Sequence, residues 1–538
     1  MQGKEICRVL GRCFSYFSYI LLLPIAVAIY YERILPSREH PQPHSLSSFV
    51  CTFFFCLLLA CLFLCMGKKA SGHFRRKESI LIVVLLWLLA AGMGALPFTL
   101  SKTLTNPLDA YFESMSALTT TGSTVFYPQK YSAETGEEIP IVLQSPYDAQ
   151  KSYTFMGTIK PVLDPAANVY LIGLDAVSKA MLFWRNLLQW IGGMGIIVLF
   201  ISVLPALSLG GKFLFEAEVP GPTKESLTPR IKETAGFLWK IYVGLTAAAC
   251  ILLVITNDSM PLFDAVNLSL STVSTGGFCI KNEGLAYYNS FSTDLIVMIF
   301  MVLGSINFTL YFYIMRGKIY RLYEPELKSY LATLLCFATL ISLLLWKIGH
   351  FNLSESLRLG FFQTLSAQSS TGFSISNKES FPFSCQLLLV FLMYLGGMSG
   401  STSGGIKIAR FTILFKVLFQ KMETLFRPDS IRCLKMGERE ISIKTAQTTL
   451  IYFSLVMLFV ACGSFLHVLD GIDLDTSFGL MTCMINNAGI SFGNPGPIEA
   501  CAFLSPFSKA LSLFWMLLGR LEIFILLVFF VPDFWRNR

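Results

Sequence analysis

The chain of 538 residues is far more apolar than a soluble protein. Hydrophobic residues make up 54% of it and charged residues only 14%, against about 25% charged residues in an average soluble domain. The formal charge of +8 does not indicate a nucleic-acid partner, because the basic residues lie in short loops between apolar runs rather than on a folded basic domain. The composition therefore excludes a soluble enzyme or binding domain and predicts an all-α integral membrane protein.

Apolar runs follow one another along the whole chain, and each is about long enough to cross a bilayer as a helix. There are ten such runs, at residues 14–31, 49–66, 80–100, 180–207, 237–255, 295–315, 330–346, 387–419, 448–468 and 511–531. Lys and Arg are concentrated in alternate short loops, which the positive-inside rule places in the cytoplasm. We expect about ten spanning helices, with both termini cytoplasmic.

Four shorter and less apolar stretches lie between pairs of these runs and resemble one another. Each begins near an acidic residue and ends in Thr, Ser, Asn and Gly, over residues 109–122, 264–277, 355–373 and 475–490. The first two share an Asp-Ala start and equal spacing, which indicates duplication of a unit of helix, half-helix, Gly turn and helix. We expect the acidic residues to cap the half-helices, because a carboxylate accepts from free amides and complements the helix dipole: Asp109, Asp264, Glu355 and Asp475.

Four Gly turns at membrane depth imply a shared polar centre, because non-helical backbone is tolerated there only inside protein or beside water. A cation that loses its water needs replacement oxygens, and Gly lets successive carbonyls turn toward one axis. No ring of carboxylates is present, so a monovalent cation is favoured. Ordinary helix breaks at packing contacts are the alternative interpretation. The predicted filter residues are Thr120, Thr121, Gly122, Thr275, Gly276, Gly277, Thr371, Gly372, Asn487, Ala488 and Gly489, with Gly276 and Gly277 competing for one position.

A Gly-rich segment interrupts the eighth apolar run and cannot form a straight helix. It lacks the GxxxxGK[ST] spacing of a phosphate-binding loop, and we interpret it as a flexible intramembrane loop below the filter. Arg520 lies inside the last apolar run, where a charge is expected to face a cavity or a partner. Glu522, two residues further on, points to another face and is a poor partner for it. The predicted gate comprises Gly396, Gly397, Gly400, Ser401, Thr402, Gly404, Gly405 and Lys407, together with Arg520.

These motifs together resemble the TrkH/KtrB potassium uptake proteins. The resemblance extends to residues 183–198 (FWRNLLQWIGGMGIIV), 218–231 and 516–524, and two extra N-terminal helices favour the TrkH branch. It implies a homodimer in the cell inner membrane with one potassium pore per subunit, and filter glycines at Gly122, Gly277, Gly372 and Gly489. It also implies a cytoplasmic TrkA-type regulatory subunit that binds NAD(H) or ATP/ADP, while this chain itself carries no cofactor.

The resulting division of the chain has one N-terminal part and four pore repeats. Residues 1–78 form two N-terminal helices, and the repeats cover residues 79–210, 211–322, 323–440 (with the loop 396–405) and 441–538. A polar segment at 127–179 replaces what is usually a short extracellular connection in the family. We interpret it as an outer cap or as a loose loop.

Two other functions compete with the pore. A sodium- or proton-coupled transporter would use buried carboxylates or histidines, for which Glu113 and Asp473 are candidates that also fit packing or capping roles. An intramembrane enzyme needs a nucleophile and base or a metal cluster, and His467 has no second ligand at suitable spacing. We therefore expect a transport protein and no enzyme.

Overall fold

The structure is a computed structural model. It describes residues 3–35, 41–68, 76–132, 136–145, 148, 150–165, 167–195, 231–376, 381–427, 434–437, 439–490 and 500–536. Several features of the sequence lie outside these residues: Lys69, Arg75, Arg432, Arg538, the end of the fourth apolar run at 196–207, and most of the family-like stretch at 218–231.

Helices dominate the described part of the chain. They are α1 Gly3–Ile20, α2 Leu22–Ile29, α3 Leu46–Met66, α4 Arg76–Leu100, α5 Pro107–Leu118, α6 Lys179–Met194, α7 Ile231–Thr256, α8 Leu262–Val273, α9 Phe291–Ser305, α10 Phe308–Met315, α11 Pro325–Lys347, α12 Leu353–Gln368, α13 Phe383–Leu395, α14 Ile408–Phe426, α15 Ile443–Leu469, α16 Leu474–Asn486, α17 Pro506–Arg520, α18 Phe524–Leu527 and α19 Pro532–Trp535. The expected all-α membrane fold is confirmed.

Six helical segments among the described residues are long and apolar enough to cross a membrane: Gly3–Ile34, Leu46–Met66, Lys77–Leu100, Glu233–Thr256, Pro325–Lys347 and Ile443–Leu469. Two bent pairs, α9 with α10 and α17 with Phe524–Phe530, raise the number to eight if each pair is one span. The total of ten spans stays a prediction.

Besides the run 387–419, whose interruption was predicted, two of the predicted spans are not continuous helices. The run 295–315 bends by 92° between α9 and α10, and the run 511–531 bends by 112° after α17. At the first break Asn307 accepts from the N–H of Thr309 at 2.9 Å, and the N–H of Phe308 donates to Gly400 of the Gly-rich loop at 3.2 Å. Side chains and neighbouring loops thus satisfy the backbone groups that the breaks release.

The four half-helices are α5, α8, α12 and α16, and each lies between a long helix and the helix that follows it. The prediction that their acidic residues cap them is wrong. Asn106 caps α5 by accepting from Leu108 at 3.0 Å, and Asp473 caps α16 by accepting from Thr476 at 2.9 Å. The four acidic residues lie inside the first turn instead, where they still complement the helix dipole: Asp109, Asp264, Glu355 and Asp475.

The described part of the 127–179 segment folds into three antiparallel hairpins. Their strands are β1 Lys130–Tyr131 with β2 Glu138–Ile139, β3 Ile141–Gln144 with β4 Ser152–Phe155, and β5 Val162–Asp164 with β6 Val169–Leu171. The Tyr153 ring lies 4.9 Å from the Phe503 ring, and Tyr153 and Ser145 both donate hydrogen bonds to Asp473. These contacts hold the segment against the fourth repeat. A last hairpin, β7 Lys435–Met436 with β8 Arg439–Glu440, precedes α15.

Candidate ion-conduction site

Each half-helix ends in the same backbone motif. A non-glycine residue takes the left-handed conformation, with φ of 56°, 53°, 57° and 49° at Thr120, Thr275, Ser370 and Asn487. The N–H of the next residue donates to the carbonyl five positions earlier at 2.9–3.1 Å, in the pairs Thr121–Ser116, Gly276–Ser271, Thr371–Ser366 and Ala488–Cys483. This is the Schellman arrangement, which normally places Gly at the left-handed position. Asparagine tolerates this conformation, but Thr120, Thr275 and Ser370 are strained there in a way typical of functional sites.

A glycine with φ between 65° and 90° follows two residues after each left-handed residue, at Gly122, Gly277, Gly372 and Gly489. Gly277 is therefore in register with the other three predicted glycines, and Gly276 occupies the position of Thr121. In the third turn Ser370 occupies the left-handed position that Thr120 has in the first, and the sequence analysis did not predict it as a site residue. Its signal was the spacing to Gly372, which equals that of Thr120 to Gly122.

The four glycines close a ring. Each contacts a carbonyl oxygen of another turn, and a Cβ atom at the glycine would approach that oxygen far inside normal contact distance: Gly122 to Gly276 at 2.3 Å, Gly277 to Thr371 at 2.0 Å, Gly372 to Ala488 at 2.9 Å, and Gly489 to Thr121 at 2.9 Å. The order of contacts runs from the first turn to the second, third and fourth and back to the first. The four predicted turns thus contact one another in a closed ring.

Side chains behind the ring brace it. The hydroxyl of Ser116 donates to the carbonyl of Ser123 at 2.5 Å, and Ser366 donates to Phe373 in the same way at 2.7 Å. The amide of Asn487 donates to the Thr121 hydroxyl at 2.8 Å, which joins the fourth turn to the first. The turns are therefore fixed by hydrogen bonds of their own.

The Gly-rich loop, residues 396–407, connects α13 to α14 and contacts three of the four turns. The hydroxyl of Thr275 donates to that of Thr402 at 3.2 Å. The N–H of Gly404 donates to the Ser370 hydroxyl at 2.5 Å, and the N–H of Gly405 donates to the Asn486 carbonyl at 3.0 Å. Two of the left-handed residues, Thr275 and Ser370, thus contact the predicted gate directly.

Arg520 connects the loop to the first turn. Its guanidinium donates to the Thr120 hydroxyl and to the Thr402 carbonyl, each at 3.2 Å. It also donates to the carbonyls of Gly192 and Gly193 at the end of α6. A charge in an apolar helix is thus directed at polar groups, as expected. The partner of Glu522, which the sequence left open, is Arg410, at 2.8 Å.

A cavity of about 520 Å³ borders this assembly. Its walls include the loop residues Gly404 and Lys407, the side chains of Arg520 and Glu522, and Asn487 of the fourth turn. The ring, the loop and the cavity therefore adjoin one another.

The two carboxylates considered for ion coupling have structural partners. Glu113 lies 2.7 Å from Arg185 and accepts from the hydroxyl of Thr124 and the N–H of Val125 at 3.0 and 2.9 Å. Asp473 caps α16 and accepts hydrogen bonds from Tyr153 and Ser145 of the 127–179 segment. Within the described ranges, no group of three or more His, Cys, Asp or Glu side chains could hold a metal ion.

Residues 166–537 match the family model of TrkH, described as a cation transport protein. The chain belongs to this family. The Trk system potassium uptake protein TrkH of Salmonella typhimurium is 32% identical over 542 residues, with 100% of each chain covered, and TrkG of Escherichia coli is 30% identical with 99% of each covered. The crystal structure of the potassium transporter TrkH from Vibrio parahaemolyticus matches all of both chains with a TM-score of 0.79 and 29% identity. The chain is thus a multi-pass membrane protein of a transport family.

Proposed function

We propose that this chain conducts potassium ions through the ring of four turns. The observation that carries the proposal is the closed set of contacts in which each filter glycine meets a carbonyl of another turn. Carbonyl oxygens in such a ring can replace the hydration shell of a monovalent cation. The relatives named above are potassium uptake proteins, which supports potassium as the ion.

The gate in this proposal is the loop 396–407 together with Arg520. The loop contacts the second, third and fourth turns directly. Arg520 connects it to the remaining turn, the first, through the hydroxyl of Thr120. A cytoplasmic TrkA-type subunit with a bound nucleotide would move the loop, and the chain would act as a homodimer in the inner membrane. These partners rest on the family resemblance.

Coupled transport is the alternative function. It would need a buried group that binds and releases a second ion, and the two candidates that the sequence offered are Glu113 and Asp473. Both have structural partners among the described residues, which favours passive conduction.

The experiment that tests the proposal compares rubidium and sodium uptake into proteoliposomes that contain the purified chain. Gly277→Ser should lower the ratio of rubidium to sodium uptake, because any Cβ there would lie 2.0 Å from the Thr371 carbonyl oxygen. Gly471→Ser is the matched control: Gly471 also has a positive φ, 93°, but nothing lies within 4 Å of its Cβ position. Equal ratios for wild type and both variants would contradict the filter assignment.

A further inference from the structure

Helix α6 carries a row of buried polar side chains to which the proposed pore assigns no role. Arg185, Asn186 and Gln189, here called the α6 polar seam, are at most 1% exposed, although the helix is otherwise largely apolar. Polar groups inside a membrane helix are costly and usually functional. Arg185 and Gln189 are four residues apart and so lie on one face, between the first and second turns.

Gln189 binds the second turn directly. Its amide nitrogen donates to the carbonyl oxygen of Gly276 at 2.7 Å, and its amide oxygen accepts from the Ser271 hydroxyl at 3.0 Å and from the N–H of Phe278 at 3.3 Å. The orientation of the amide is fixed by its partners, because a carbonyl can only accept and a backbone N–H can only donate.

The corresponding positions in two other repeats hold methionine. Gly192, Gly304 and Gly519 are equivalent, because a Cβ at each would meet the carbonyl of the half-helix residue four positions before the filter glycine: Leu118, Val273 and Ile485. Three residues before these glycines stand Gln189, Met301 and Met516. The amide in the first repeat therefore replaces an apolar side chain of similar length.

Gly276 is matched to this amide. A Cβ at Gly276 would lie 2.5–2.9 Å from the amide atoms of Gln189, whereas the same register holds Thr121, Thr371 and Ala488 in the other turns. The glycine at this position leaves the space that the glutamine amide fills. The pair makes the second turn different from the other three.

We propose that Gln189 is a positioning residue that sets ion selectivity by holding the Gly276 carbonyl in place. This rests on the proposed function, in which that carbonyl belongs to the filter. Selectivity for potassium over sodium depends on the number, field and mobility of the carbonyl dipoles. A carbonyl held by a buried amide cannot move inward to follow a smaller ion, so the hydrogen bond works against sodium.

The test is the ratio of rubidium to sodium uptake into proteoliposomes for Gln189→Met. Methionine keeps the volume and is the residue at both equivalent positions, but it removes the donor to Gly276. We expect the ratio to fall about tenfold, which is the change that the loss of one buried hydrogen bond produces. A residue with only a structural role would change the total uptake and leave the ratio unchanged.

Asn186→Leu is the control on the same helix, because Asn186 donates to Asn267 at 3.0 Å and forms no hydrogen bond with the turn among the described residues. It should reduce the yield of protein and leave the ratio at the wild-type value. If Gln189→Met does not fold, Ser271→Ala takes its place in the test, because it removes the hydrogen bond that orients the Gln189 amide. A lowered ratio of rubidium to sodium uptake then supports the proposal.

The two proposals fail in different ways. If Gly277→Ser changes the ratio while the Gln189→Met ratio, or that of Ser271→Ala in its place, equals the wild-type value, the role of Gln189 is refuted and the filter stands. If the wild type takes up no rubidium even with the regulatory subunit added, or if Gly277→Ser also leaves the ratio unchanged, the proposed function itself fails.

Discussion

Arg520→Ala is the substitution that tests the gate most directly. The guanidinium holds the loop through the Thr402 carbonyl and the first turn through Thr120. A hydrogen bond from a charged group contributes ~1.5–3 kcal/mol, so the loss of the Thr402 bond should raise the population of displaced loop at least tenfold. The charge also repels a permeating cation by about 3 kcal/mol at ~6 Å and an effective dielectric constant of ~20. Both effects predict faster conduction.

The assay is the initial rate of rubidium uptake into proteoliposomes at equal protein content. We expect Arg520→Ala to raise the rate at least tenfold, and Arg520→Lys to raise it less, because lysine keeps the charge but cannot reach the same set of acceptors with a planar fork. Arg358→Lys is the control, since Arg358 on α12 pairs with Asp294 at 2.6 Å and forms no hydrogen bond with the loop or the turns among the described residues. A folded Arg520→Ala protein with a rate at or below the wild-type rate would refute the barrier.

Two further predictions concern buried polar contacts. Lys509 lies 2.6 Å from Asp109, with both side chains under 10% exposed, so Lys509→Met should destabilise the protein by ~3–5 kcal/mol; a second change, Asp109→Asn, should restore part of its melting temperature in detergent. Burial raises the pKa of Asp473, but hydrogen bonds from Tyr153 and from Thr476 outweigh it and leave this pKa below its usual value. The stability gained this way is present above the unfolded pKa of about 3.9 and is lost as the pH falls through the folded pKa. In Tyr153→Phe the melting temperature should therefore fall less on acidification than in the wild type. An unchanged dependence of the melting temperature on pH would contradict the role given to the Tyr153–Asp473 hydrogen bond.

The sequence predicted the parts of the site that follow from local backbone chemistry. The spacing of Gly122, Gly277 and Gly372 from their half-helices located turns that the structure brings together, because a Schellman end needs a fixed number of residues whatever the surroundings. The Gly-rich composition of residues 396–407 likewise predicted a broken helix. Ser370 was missed because serine is common in such segments, and only its register marks it.

Contacts between distant elements could not be predicted in the same way. Arg410 pairs with Glu522 from 112 residues away, and nothing in the local pattern connects them. The bends after α9 and α17 contain no Pro, and each has a single Gly beside it, Gly304 and Gly519, so the apolar runs looked continuous. They exist because tertiary partners, such as Gly400 at Phe308, satisfy the free backbone groups. The capping error is local instead: Asn106 and Asp473 begin their helices three and two residues before the acidic residues Asp109 and Asp475, which lie in the first turn.

The strained turns and the loop depend on the same side chains. Thr275 and Ser370 take a left-handed conformation, which costs about 1 kcal/mol or more each, and their hydroxyls contact Thr402 and Gly404 of the loop. A displacement of the loop breaks these bonds, each of which contributes roughly 1 kcal/mol. The turns therefore lose part of their support whenever the loop moves, so the geometry of the ring and the position of the loop are energetically linked through these contacts.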